Sequence, residues 1–228
     1  MTRAFTLAEV LITLGIIGVV AVLTMPPLIA KYQKKETAVR LVKTYAELSQ
    51  AVKLSEIDND IVDNWNYSLG AQAFFDKYLK NYMKKVTILP SSKWKSLVSY
   101  KMLNGTAFDN SCLLYDVSTI GVMLSNGTIM YIIPQTTQFK LIYIDINGLN
   151  PPNKYGKDLF SFSIQPTYGL VPYGFGTTNS SGDTFGTEYN RAILIGTSNS
   201  ACKKSGTGTW CAALIRLDGW EIKNDYPW

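Results

Sequence analysis

The sequence predicts an α+β protein, with a long N-terminal helix packed on a C-terminal domain that holds an antiparallel β-sheet. Two observations predict it. From Val10 to Ala30 there is no charged residue, and amphipathic helical spacing continues beyond that run. From about Val98 onward the apolar runs are short, rich in β-branched and aromatic residues, and separated by turn residues. A helix first and a run of strands afterwards is the α+β pattern.

The helix is expected from about Thr6 to about Ser55. Its uncharged run would span about 30 Å at about 1.5 Å per residue, the thickness of a bilayer's hydrocarbon core. Glu9 is the one charge inside the apolar segment, and a carboxylate there is costly without a partner. Pro26 and Pro27 each remove a backbone donor, so a kink or a loosened turn is expected at that point. Beyond them Ala38, Leu41, Val42, Tyr45, Leu48 and Val52 recur at three- and four-residue steps. That stripe needs a globular domain to cover it.

A second helix is expected over about Gly70 to Val86, where Phe74, Phe75, Tyr78, Leu79, Tyr82 and Met83 keep helical spacing. Next, STIGVMLSNGTIMYIIP holds two strand-like runs joined by Asn126-Gly127, a strong hairpin signal. Further strands are expected at Lys140 to Ile146 and at LFSFSI. Gly169 to Glu188 reads as a long surface loop. RAILIG reads as a short strand or a helical turn, and the Trp-rich end from Trp210 reads as docked on the domain.

Composition narrows the chemistry. There is no histidine, which removes Ser-His-Asp and Cys-His catalysis and His-based zinc sites. No enzymatic activity is expected. Of the three cysteines, Cys202 and Cys211 flank CKKSGTGTWC, whose glycines let the chain close on itself, so a disulfide is expected there. Cys112 reads as a buried core thiol. The net charge of +5 sits largely in clusters such as Lys31, Lys34, Lys35 and Lys77, Lys80, Lys84, Lys85. These read as solvated faces or lipid headgroup contacts, with nucleic acid a minor reading.

The segment FTLAEVLITLGIIGVVAVLTMPPLI closely resembles the N-terminal signature of type IV pilins and type II secretion pseudopilins. In that family a short leader is removed before a Phe, the new N-terminus is methylated, a Glu follows four residues later, and a Pro interrupts the helix. Phe5, Thr6, Leu7, Glu9 and Pro26 fall on the pattern. Ala4 stands where the family prefers Gly. The resemblance implies a leader over 1–4, a transmembrane and assembly helix over 5–56, and a pilin-like domain over 57–228. A prepilin peptidase would cut between Ala4 and Phe5 and methylate Phe5.

The resemblance further implies that Glu9 pairs with the Phe5 amine of a neighbouring subunit, and that turns around Pro26 loosen as subunits assemble. Partners would be copies of this chain or related subunits, the assembly platform, and membrane lipid before assembly. Location would be the bacterial inner (cytoplasmic) membrane first, then a periplasmic or cell-surface filament. Some pseudopilins hold calcium in a loop of the C-terminal domain, which makes Asp145, Asn147 and Asp158 weak calcium candidates; turn chemistry is the favoured reading, with no cofactor. Two other readings stay open: an uncleaved single-span protein whose outer domain binds a ligand or partner, and a tethered exported enzyme.

Overall fold

The computed structural model describes residues 6–90, 94, 96–108, 118–133, 138–175 and 190–228. Ala4, Phe5 and Cys112 lie outside these residues. The chain divides into two compact units, Met1–Glu36 and Thr37–Trp228.

In the first unit, helix α1 (Leu7–Asn59) begins. The helix is long and apolar enough to cross a membrane, and no residue of its most apolar stretch is buried. Leu11, Ile16, Val22 and Leu23 are exposed, Leu23 at 71%. Such a surface needs a nonpolar medium or a protein partner around it. Two hydroxyls that would otherwise be unmatched turn back on the helix: Thr13 donates to the Val10 carbonyl at 2.9 Å and Thr24 to that of Val20 at 2.8 Å. The helix runs unbroken through Pro26 and Pro27. The carbonyls of Val22 and Leu23, four residues back, thereby lose their usual donors.

The second unit takes in the amphipathic half of α1. Its buried stripe is Thr37, Ala38, Leu41, Thr44, Leu48, Ala51, Val52 and Ser55. The helix stops at Asn59, where Asp60 turns left-handed (φ 67°) and accepts from the Ile61 N–H at 2.7 Å. Helix α2 (Ala71–Tyr78) is shorter than its apolar periodicity suggests. A 3₁₀ turn, Lys80–Tyr82, falls in the remainder of that segment, and strand β1 (Thr87–Leu89) begins just beyond it. Leu79 is buried and Met83 packs against the core, while Tyr82 bonds to Asp58 and Asn59 at the end of α1.

The sheet is a six-stranded antiparallel meander in chain order: β1, β2 (Ile120–Met123), β3 (Ile129–Ile132), β4 (Lys140–Asp145), β5 (Leu159–Gln165) and β6 (Gly169–Pro172). The expected hairpin joins β2 and β3. Gly127 takes φ 84°, Gly127 N–H donates to the Leu124 carbonyl at 3.0 Å, and the Asn126 side chain accepts from the Thr128 N–H. Strand β6 corrects the expectation of a loop starting at Gly169. Its four residues are buried and pair with β5 in the register Phe162↔Pro172 and Ile164↔Leu170. Pro172 is tolerated because it closes the edge strand. Residues 176–188 of that predicted loop lie outside the described residues.

Every residue of β4 and β5 is buried. Pairing puts Ile142, Ile144, Phe160 and Phe162 on one face. Phe162 meets Tyr45 of α1 there, with ring centroids 5.8 Å apart. On the opposite face, Tyr131 meets Trp94 at 4.7 Å, and Tyr143 meets Tyr155 at 5.9 Å. Covering both faces removes the polar alternation of a half-exposed strand. RAILIG contributes helix α3 (Arg191–Leu194), and helix α4 (Cys211–Leu217) is buried over its first five residues. Arg191 holds Asp218 through Nε at 2.9 Å and Nη2 at 3.1 Å, fastening the end of α4 to α3.

Candidate functional site

The chemistry-bearing residues gather at three places: the start of α1, the loop after β4, and the disulfide. At the start of α1, Thr6 and Glu9 cap the helix reciprocally. Thr6 N–H and Thr6 Oγ1 both donate to Glu9 Oε2 at 2.9 Å, and Glu9 N–H donates to Thr6 Oγ1 at 3.3 Å. This is the capping box, Thr-x-x-Glu, in which each side chain serves backbone donors that the first turn leaves unmatched. The TLAE spacing carries that signal in the sequence. It gives Glu9 a partner within its own chain, which reasoning about the cost of its charge missed. Both donors use Oε2.

The calcium candidates fall at the end of β4 and in the loop joining it to β5, where the carboxylates of Asp145 and Asp158 already serve internal donors and Asn147 Oδ1 is buried without a hydrogen-bond partner. Asp145 is 0% exposed. Its Oδ2 accepts from the Tyr100 hydroxyl at 2.6 Å and its Oδ1 from the Asn147 N–H at 3.2 Å. Tyr100 is linked in turn to the Tyr131 hydroxyl at 2.9 Å. Asp158 accepts from the N–H groups of Asn153, at 2.6 Å, and Lys154. Asn147 Nδ2 donates to the Pro151 carbonyl at 3.1 Å. Burial raises the Asp145 carboxyl well above its ordinary range, against the opposing pull of Tyr100, and burial likewise raises Asp158. Among the described residues no three His, Cys, Asp or Glu side chains come together as a metal site. The two acids act as acceptors that hold the loop in its turns.

The disulfide forms as expected between Cys202 and Cys211, both buried. It is consistent with an oxidising compartment for the domain. A Cβ on Gly156 would lie 2.9 Å from Cys211 Sγ and 3.0 Å from the Tyr226 hydroxyl, so the bridge, the loop and the chain end are in close contact. Tyr226 donates to the Gly156 carbonyl at 2.6 Å.

Lys140 was not anticipated. It is 0% exposed, and its Nζ donates to the Tyr67 and Leu69 carbonyls, each at 2.7 Å, with the Phe74 ring 5.4 Å away. Burial lowers its pKa to about 8. The ammonium ties the segment before α2 to the first residue of β4. Nothing in a lysine at a strand start signals this, because the carbonyls it meets are about 70 residues away in the chain.

A profile described as "Family of unknown function (DUF6613)" matches residues 27–228. The chain belongs to this family. The DUF6613 match covers the whole sheet, the Asp145–Asp158 loop and the disulfide, and starts at Pro27, after Glu9 and Pro26. No curated protein and no solved structure matches the chain.

Proposed function

We propose that this chain is a structural subunit of a type IV pilus-like or type II secretion pseudopilus filament, without enzymatic activity of its own. The observation that carries the reading is the N-terminal segment: Ala4-Phe5, then Glu9, then an uncharged run to Ala30 that contains Pro26. An apolar helix stretch with no buried residue supports it, since such a surface fits lipid first and neighbouring helices later. A prepilin peptidase cuts before Phe5, and the subunit leaves the cytoplasmic membrane for a periplasmic or surface filament. The capping geometry suits the assembly role of Glu9. Thr6 occupies Oε2, while Oε1 remains for the Phe5 amine of a neighbour. Such a pair neutralises two charges in an apolar fibre core.

One observation favours a second reading. The Thr6–Glu9 box gives the Glu9 carboxylate two donors without any new amine, which suits an uncleaved single-span protein whose outer domain meets a partner. The mass of the chain from its native membrane separates the two. A methylated N-terminus at Phe5 is expected, and an intact Met1 refutes the filament reading. Glu9→Ala should leave membrane insertion unchanged and impair incorporation; normal incorporation removes Glu9 from assembly.

A further inference from the structure

The apolar run ends at Ala30, and the next residues are Lys31, Tyr32, Gln33, Lys34 and Lys35. All five are helical. At about 100° per residue the three lysines fall within an arc of about 100°, with Tyr32 beside Lys35 on the neighbouring flank. Glu36 projects beyond Tyr32, away from the lysine arc. Lys31 and Lys35 are exposed, Lys34 is half-buried and Tyr32 is 67% exposed. The salt bridges among the described residues involve none of the three lysines.

Their position sets the partner. If Glu9 lies at one boundary of the hydrocarbon layer, the 21 residues from Val10 to Ala30 carry the helix about 30 Å, which brings Lys31 to the opposite boundary. Lysine stems lie along apolar surface while their ammonium groups reach the headgroup layer, and tyrosine favours the same interface. Within the first unit, residues 31–36 hold three lysines and one glutamate, an excess of two positive charges. A phosphodiester surface is the complementary partner at that depth.

We propose that Lys31, Lys34 and Lys35, flanked by Tyr32, form a binding site for the phosphodiester headgroups of anionic phospholipids. The site rests on reading the apolar run as a membrane span, and does not depend on processing at Ala4-Phe5. It sets how deep the helix sits and holds the subunit at the leaflet from which it must be withdrawn. Each lysine contributes about five-fold to preference for an anionic surface.

The test uses the full chain, purified from its native membrane and held in neutral detergent with equal phosphatidylglycerol and phosphatidylcholine. Native mass spectrometry counts the lipids retained. The wild-type chain should retain phosphatidylglycerol preferentially. The triple variant Lys31→Gln, Lys34→Gln, Lys35→Gln should lose that preference at least ten-fold, while Lys203→Gln with Lys204→Gln should keep it. An unchanged preference in the triple variant overturns the proposal, as does equal loss in the double variant. Stripping of the lipid by millimolar inorganic phosphate also overturns it, since the site would then be one for free anions. The same spectra report the N-terminal mass, so an intact Met1 with lipid preference preserved refutes the filament reading alone.

Discussion

Lys140 offers the sharpest test of the domain's physics. Burial moves its ammonium from an ordinary 10.5 to about 8. Between those values the unfolded chain binds the proton and the folded chain has released it. Stability therefore rises with pH through that window. At about 1.4 kcal/mol per tenfold change in proton affinity the whole difference is about 3 kcal/mol, of which about 2 kcal/mol appears between pH 8 and 10. Above pH 10 the trend reverses, because burial raises the Tyr67, Tyr100, Tyr173 and Tyr226 hydroxyls and the unfolded chain ionises them first. Lys140→Met removes the proton and leaves the buried Tyr67 carbonyl, at about 1–3 kcal/mol, and the part-buried Leu69 carbonyl without this donor. Relief of the buried charge offsets much of that at neutral pH. The decisive quantity is the difference between the two pH profiles. Urea unfolding of the full chain in neutral detergent, followed by tryptophan fluorescence from pH 7 to 10, should show the rise in wild type and its loss in Lys140→Met. The same rise in both proteins refutes the assignment, and so does a flat wild-type profile.

Other outcomes follow from the same unit. Replacing both Cys202 and Cys211 with Ala opens a loop with a sequence separation of 9, which should lower stability by about 2.6 kcal/mol on chain entropy alone; urea midpoints measure it. Gly208→Ala should destabilise by more than about 2 kcal/mol, because φ is 84° and the new Cβ would sit 2.6 Å from Leu103 Cβ. Thermal unfolding equal to wild type would contradict that geometry. Asp145→Asn keeps an acceptor for Tyr100 but turns its Nδ2 toward the Asn147 N–H, so at pH 7 the loss of that bond, about 1 kcal/mol, offsets relief of the buried carboxylate and the net change should be small. Because burial raises this carboxyl, its contribution is largest at low pH and is lost as pH climbs above the ordinary aspartate range; urea titrations from pH 4 to 7 should show that slope flattened in the variant.

The sequence by itself determined what local chemistry specifies. Twenty-one uncharged residues followed by an amphipathic stripe make one long helix, Asn126-Gly127 makes a hairpin, and Cys202 and Cys211 can meet because the glycine-bearing loop between them is short. The Thr-x-x-Glu spacing likewise specifies the Thr6–Glu9 box. What only the tertiary structure decided depends on groups distant in sequence. GLVP is a strand because β5 offers its free edge, overriding the glycines and prolines that mark loops locally. Helix α2 stops at Tyr78 although its apolar spacing continues: backbone conformation changes at Leu79, whose side chain stays in the core while Met83 packs against its edge. Asp145 and Lys140 look like surface charges in the sequence. Each is buried because the fold supplies its partners, a tyrosine 45 residues away for one and two carbonyls more than 70 residues away for the other. A charge enters a core only where its hydrogen bonds are met, and no local pattern records where those partners will be.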